Sequence, residues 1–265
     1  MIDVKKIVFV CWLSMSIHLH GATIKHIFVD INTLIATSQS IASKHVGIIA
    51  SMRYLASVGH IPSKVDLFKA LQDVPAQTDQ FTHNDNLLMP LIFSDWLMGL
   101  QSNSSIKANI YHYLEKSHLT EVEKTIFKNI SNMMLSPTIF IDTQYLIKEM
   151  VKILNHLKKA GYTVYIIGNW DKESEPYLMK LLHHHLTIDA KHCYFSNKAK
   201  QLKPQAAYFD ELIHHFHLQK KDCLIIDVEK NHVQSARNLG FTTILLHGQN
   251  HQQLKSELTR IGIRL

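Results

Sequence analysis

Two kinds of apolar pattern alternate along this chain. Short continuous apolar runs, among them Ile27-Phe28-Val29, Val164-Tyr165-Ile166-Ile167, Cys223-Leu224-Ile225-Ile226 and Ile244-Leu245-Leu246, read as strands buried on both faces. A further run, His192-Cys193-Tyr194-Phe195, reads as another short strand. Between them apolar residues recur at helical spacing. Leu146, Met150, Ile153, Leu154 and Leu157 predict one helix, ended at Gly161, and further helices are predicted over 175–186, 206–216 and 232–239, the last capped by Gly240. Strands separated by helices predict an α/β fold, a Rossmann-like parallel sheet with helices on both faces.

Residues 36–136 break that rhythm, because strand signals nearly vanish. A helix is predicted over 40–58 through Ile41, Val46, Ile49, Met52 and Leu55, stopped by Gly59 and Pro62. More helices are predicted over 63–72, 87–101, 104–116 and 120–134, and Pro137 is expected to close the stretch. The organisation predicted is a core from 23–35 and 137–265 with an inserted α-helical cap domain at 36–136. Asp95 and Trp96 in that insertion are read as part of a packing helix rather than as a substrate selector.

Composition narrows the classes. Of 265 residues, 46% are hydrophobic and 19% charged, which excludes a disordered chain. The net charge of +6 is carried by scattered Lys and Arg with no dense run, so no nucleic-acid partner is expected. The 19 His include the runs 183–185 and 214–215, but neighbouring helical positions point apart and no metal role follows. The three Cys show no metal spacing; Cys193 and Cys223 open strand-like runs and read as buried thiols, with a disulfide as the alternative. Residues 1–22, with Lys5 and Lys6 before an apolar core and Gly21-Ala22 at its exit, predict an export signal. The expected location is therefore secreted or periplasmic, with an uncleaved segment and a cytoplasmic protein as the alternative. That core is too short to span a bilayer stably, and no stable membrane span is expected in the mature chain.

Candidate chemistry gathers at strand ends. Ile27-Phe28-Val29 runs into Asp30, followed by the polar turn Ile31-Asn32-Thr33; Ile167 runs into Gly168-Asn169; Lys203-Pro204 follows a loop; Ile226 runs into Asp227. In a parallel sheet all carboxyl ends share one edge, so these residues can converge. The order and spacing resemble the four motifs of the haloacid dehalogenase-like (HAD) hydrolase superfamily from about residue 24 to 246, with the insertion where that family carries helical caps. The resemblance implies that Asp30 is a nucleophile forming a covalent intermediate, with Asn32 at the general-acid position. Lys203 would stabilise the transferring group, and Gly168, Asn169 and Lys203 would hold phosphate. Mg²⁺ would sit on Asp30, the backbone carbonyl of Asn32 and Asp227.

Three residues depart from that pattern. Asn32 stands where the second Asp is usual, and an amide has no proton to give at neutral pH. Gly168 stands where a hydroxyl is expected. Val228 stands where a second acid is common, with Glu229 and His232 nearby as substitutes. The function expected is a weak or specialised Mg²⁺-dependent phosphatase working through an aspartyl-phosphate at Asp30 on a small phosphorylated substrate. One alternative is an inactive binding or scaffold protein. The other is a metal-independent carbon-centre hydrolase of the dehalogenase type, which also lacks the second Asp but has no acidic strand end like Asp227. Substrate identity and oligomeric state stay open.

Overall fold

The computed structural model describes residues 24–85 and 87–264, so the expected export signal at 1–22 lies outside the described residues. In chain order the elements begin with β1 (His26–Asp30), β2 (Ile35–Thr37), α1 (Gln39–Val46), α2 (Ile48–Val58) and α3 (Lys64–Ala70). There follow β3 (His83–Asn84), β4 (Leu87–Leu88), α4 (Leu91–Leu97), α5 (Asn103–Lys116), α6 (Glu121–Leu135) and α7 (Pro137–Asp142). The chain then alternates through β5 (Gln144–Leu146), α8 (Lys148–Lys159), β6 (Thr163–Gly168), α9 (Glu175–His185), β7 (Cys193–Phe195), α10 (Ser196–Ala199) and α11 (Ala206–Phe216). It ends with β8 (Cys223–Asp227), α12 (Lys230–Asn238), β9 (Thr242–Leu245) and α13 (His251–Arg260).

Five strands form one parallel sheet in the order β7-β6-β1-β8-β9, with β1 at its centre. Successive side chains of a strand face opposite ways, and both faces here are covered. Ile27 and Val29 pack with Ile166, Leu224 and Ile226 against Met150, Leu154 and Leu157 of α8 and Leu254 and Leu258 of α13. Phe28 packs on the other face with Tyr165 and Ile225 against Tyr208, Phe209 and Leu212 of α11. Two-sided burial is why these strands are unbroken apolar runs rather than alternating ones. Cys193 and Cys223 are free, buried thiols at the starts of β7 and β8.

The stretch between β2 and β5 is helical apart from the short β3–β4 pair and has its own core, built on Phe93, Trp96, Ile110, Phe127 and Tyr54. Leu202, just before Lys203, is buried in this second core rather than under the sheet. Several predicted boundaries move. The helix expected over 40–58 is two, because Gly47 at φ +94° ends α1 and starts α2. The one expected over 87–101 shrinks to α4, since residues 87–88 pair with 83–84 and Pro90 precedes the first turn. Leu146 lies in β5, paired antiparallel with β2, and the helix begins at Lys148. Pro137 opens α7, where its missing N–H costs nothing, instead of closing the insertion. Among the described residues no helix is long and apolar enough to cross a membrane.

Candidate active site

Strands β1 and β8 are hydrogen-bonded neighbours, which places Asp30 and Asp227 at adjacent carboxyl ends. The turn after β1 fixes the first carboxylate. Asp30 caps the 3₁₀ turn Ile31–Thr33, its Oδ1 accepting the Asn32 amide at 2.8 Å, while Thr33 Oγ1 donates back to the Asp30 carbonyl at 2.7 Å. The second carboxylate is held alike: Asp227 Oδ1 accepts the Glu229 amide at 2.9 Å. Lys203 reaches between them, donating from Nζ to Asp30 Oδ2 and to Asp227 Oδ2, the latter at 2.6 Å. All three side chains are at most 1% exposed.

One ammonium thus serves two buried carboxylates, and they divide it unequally. Asp30 is pushed up to about 6, first by burial and then by the charge of Asp227, with Lys203 and His232 pulling the other way. Burial also works against the charge of Asp227, but Lys203 and His232 together hold its carboxyl well below the usual range. Burial favours a neutral Lys203, yet Asp227 and Asp30 hold its ammonium above the ordinary lysine value. Asp30 is the member that takes up a proton most readily.

His232, the first buried residue of α12, stands 3.1 Å from Asp227 Oδ2 through Nδ1. An ionised carboxylate only accepts, so Nδ1 carries the hydrogen. Its Nε2 is buried and has no hydrogen-bond partner among the described residues. The sequence marked His232 as a stand-in for the acid missing at Val228; its contact with Asp227, five positions back across a loop, has no periodic signal.

Gly168 and Asn169 sit beside this cluster. A Cβ on Gly168 would lie 2.6 Å from Ile31 Cγ2 and 3.3 Å from Asp30 Oδ2, so Ile31 fills the space a hydroxyl-bearing side chain would need. The Asn169 side chain is committed elsewhere. Its Oδ1 accepts the Lys203 amide at 3.0 Å, and its Nδ2 donates to the Lys203 carbonyl at 3.0 Å and to Thr82 Oγ1 at 2.7 Å. Holding phosphate through that amide would cost those bonds. Thr82 belongs to a segment of the insertion that no pattern or motif in the sequence singles out. Gln80 binds the Leu202 amide at 3.1 Å, and Gln205 donates to the Phe81 carbonyl at 2.7 Å, so residues 80–82 strap the Lys203 loop to the insertion.

Between sheet edge and insertion lies a cavity of about 890 Å³, within the range of small-ligand sites. Asn32, Asn169, Val228 and His232 line it from the sheet, Lys64 and Trp96 from the insertion. Trp96 is itself anchored, donating from Nε1 to Asn103 at 3.0 Å, and Asp95 accepts the amides of Gln77 and Thr78, both structural tasks.

A model of haloacid dehalogenase-like hydrolases matches residues 96–246, more than half of the chain. The chain belongs to the haloacid dehalogenase-like hydrolases. The matched region holds Gly168, Asn169, Lys203 and Asp227, while Asp30 precedes it. Among solved structures, a HAD family enzyme of Bacteroides thetaiotaomicron is similar at 15% identity, covering 86% of this chain and 96% of its own, with a TM-score of 0.56. The same enzyme in complex with magnesium and inorganic phosphate gives a TM-score of 0.54 at 15% identity over the same shares. A predicted HAD-like hydrolase of Porphyromonas gingivalis is similar at 17% identity, covering 90% of this chain and 98% of its own, with a TM-score of 0.54. At these identities the likeness is one of fold. No curated protein sequence matches the chain.

The donors of this HAD-like site suit a small hard cation. No group of three or more His, Cys, Asp or Glu is arranged to hold a metal among the described residues. Magnesium asks less of a protein, binding through one or two carboxylates and keeping waters or phosphate oxygens as its other ligands. Asp30 Oδ1 and Asp227 Oδ1 each accept one amide hydrogen and keep a lone pair, and burial followed by the charge of Asp227 disfavours the ionised form of Asp30, which a bound cation would favour. The residues therefore fit, against one competitor: Gln249 Nε2 donates to the Asn32 carbonyl at 3.0 Å and also to that of Ile35.

Proposed function

We propose that this HAD-like hydrolase cleaves a small phosphorylated substrate by covalent catalysis at Asp30, slowly and with a preference for good leaving groups. The observation that carries the reading is the buried Asp30–Lys203–Asp227 cluster, whose neighbours Asn32, Asn169, Val228 and His232 line a ligand-sized cavity. An Asp30 oxygen attacks phosphorus, the bond to the leaving oxygen breaks, and an aspartyl-phosphate forms. Water then attacks that phosphorus, releasing phosphate and restoring the carboxylate. Lys203 offsets charge on the transferring group. Asn32 has no proton to donate, so the leaving group departs as an anion and takes its proton from water. That favours aryl phosphates and mixed anhydrides over alkyl esters, since general-acid help is worth about 10²–10⁴ in rate. Magnesium, when bound, would be held by Asp30, the Asn32 carbonyl and Asp227, and would supply charge to offset the substrate phosphate.

Purified protein assayed on an aryl phosphate with Mg²⁺, with chelator and as Asp30→Asn tests this. Turnover lost in both the chelated and the substituted samples supports it, and turnover indifferent to Asp30→Asn sinks it. A second reading, a HAD-like fold that binds without turning over, is favoured by the commitment of every Asp30 and Asn169 side-chain polar atom to internal bonds. It predicts no turnover with any leaving group. The export reading of residues 1–22 belongs to this proposal as well. A mature chain beginning near Thr23 supports it, and an intact Met1 on the cellular protein overturns it.

A further inference from the structure

Helix α2 is amphipathic the wrong way round. Of its eleven residues only Tyr54 is buried. Ile48, Ile49, Met52 and Leu55 are 61, 70, 65 and 43% exposed. At about 100° per residue, Leu55, Ile48, Met52, Ala56 and Ile49 fall in one arc of roughly 120°, turned away from Tyr54. With Val58 and Ile61, this stretch holds six of the eleven large apolar side chains that are exposed among the described residues. Such a concentration marks an interaction surface rather than the usual scatter.

The charges beside it indicate the partner. Between Asp30 and Asp66 the sequence has no Asp or Glu, while it has Lys44, Arg53 and Lys64. Lys64 pairs with Asp85, His45 with Asp142 and His60 with Asp66. Lys44 and Arg53 are exposed and form no ion pair among the described residues. An apolar stripe in a stretch whose own residues 31–65 include cations but no carboxylate, and beside which Asp66 and Asp142 are each paired with a His, is what an interfacial helix presents to acyl chains and acidic headgroups. A second copy of the chain fits less well, since a two-fold seam along this stripe would bring like charges together.

We propose that α2 docks this protein on an anionic lipid surface, with Ile48, Ile49, Met52 and Leu55 entering the headgroup boundary and Lys44 and Arg53 meeting acidic headgroups. Ser51 and Ile61 also line the cavity, so docking sets one cavity wall beside the lipid. The proposal is independent of the reaction assigned to Asp30.

The full chain would be floated with phosphatidylcholine vesicles and with equimolar phosphatidylglycerol–phosphatidylcholine vesicles. The expected result is binding to the anionic vesicles alone, weakened by high salt. The double substitution Ile49→Ser/Met52→Ser should lower partitioning about tenfold or more, and Arg53→Glu roughly fivefold. Both changes are at exposed positions and should leave the thermal midpoint in place. An Ile49→Trp variant gives a local readout that lipid contact elsewhere in the chain would not produce: its added fluorescence should shift to the blue and be quenched by brominated anionic lipid. Binding indifferent to these substitutions, or an Ile49→Trp signal unmoved by lipid, overturns the proposal. So does sedimentation showing a dimer that Ile49→Ser/Met52→Ser dissociates while vesicles bind nothing.

Discussion

The Cγ2 methyl of Ile31 stands 2.6 Å from where a Cβ on Gly168 would lie, closer than real Cβ contacts come. The absence of a side chain at the end of β6 is thus tied to the residue following Asp30, the proposed nucleophile. Ile31 is fully buried, and its methyl branches at Cβ and cannot swing aside as a chain end would. Gly168→Ser should therefore destabilise the protein by about 1–3 kcal/mol through overpacking. Ile31→Ala alone should cost about 2–5 kcal/mol through its cavity. The double variant should cost less than the sum, with a coupling of about 0.5–3 kcal/mol. Denaturant titration of the four proteins measures this, and additive losses would show that the two positions do not contend for space.

The unequal sharing of Lys203 predicts a pH signature. The folded state raises the Asp30 pKa from an ordinary 3.8 to about 6, so it binds that proton more tightly than the unfolded chain does. The contribution of Asp30 to stability is therefore favourable below the ordinary value and is lost as pH rises through about 6. Asp227 has the opposite sign, its contribution being present above the ordinary carboxylate range and lost as acid protonates it. Asp30→Asn cancels only the first effect. Between pH 3.8 and about 6 the variant should gain stability relative to the parent, with a constant difference above. Paired unfolding curves across that range, in chelator, would show it; a difference independent of pH would mean that Lys203 already balances Asp30.

Gln249 competes for the Asn32 carbonyl. If that oxygen is a metal ligand, losing one hydrogen bond worth about 0.5–1.5 kcal/mol should tighten magnesium binding roughly two- to tenfold in Gln249→Ala. Titration calorimetry against the parent measures it. Unchanged affinity would take the carbonyl out of the coordination set.

Much of this was legible from the strand runs alone. Ile27-Phe28-Val29-Asp30 and Leu224-Ile225-Ile226-Asp227 are buried on both faces and end in carboxylates, so pattern and sheet topology placed both acids on one edge. Direction of burial was not legible. The spacing of Ile49, Met52 and Leu55 marks a face but not whether it turns inward, and here it faces solvent. Helix α13 was missed because its apolar stripe narrows to Leu254 and Leu258, although Asn250, which accepts the Gln253 amide, is an ordinary start signal. Local contacts made by unremarkable residues were out of reach. Nothing about Thr82 in sequence announces that it holds Asn169, nor about Ile31 that it displaces a side chain from position 168.

The last prediction concerns Asn32, whose backbone N–H steadies Asp30 and whose side chain stands where the proposed reaction calls for a general acid. Asn32→Asp restores an acid at the cavity wall, and if the missing proton limits the rate, turnover of an alkyl phosphate should rise about 10²–10⁴-fold. An aryl phosphate, which leaves without help, should gain far less. The same change adds a third carboxylate to a cluster in which Asp30 already holds its proton up to about 6, so without metal the nucleophile becomes harder to ionise. The gain should therefore appear only with magnesium present. Kinetics on both ester types, with Mg²⁺ and with chelator, separate these effects. Equal gains on aryl and alkyl esters would exclude a proton-donor role. No gain on either would point to further lesions at Gly168, where Ile31 fills the space a hydroxyl-bearing side chain needs, and at Val228, or to the fold that binds without turning over.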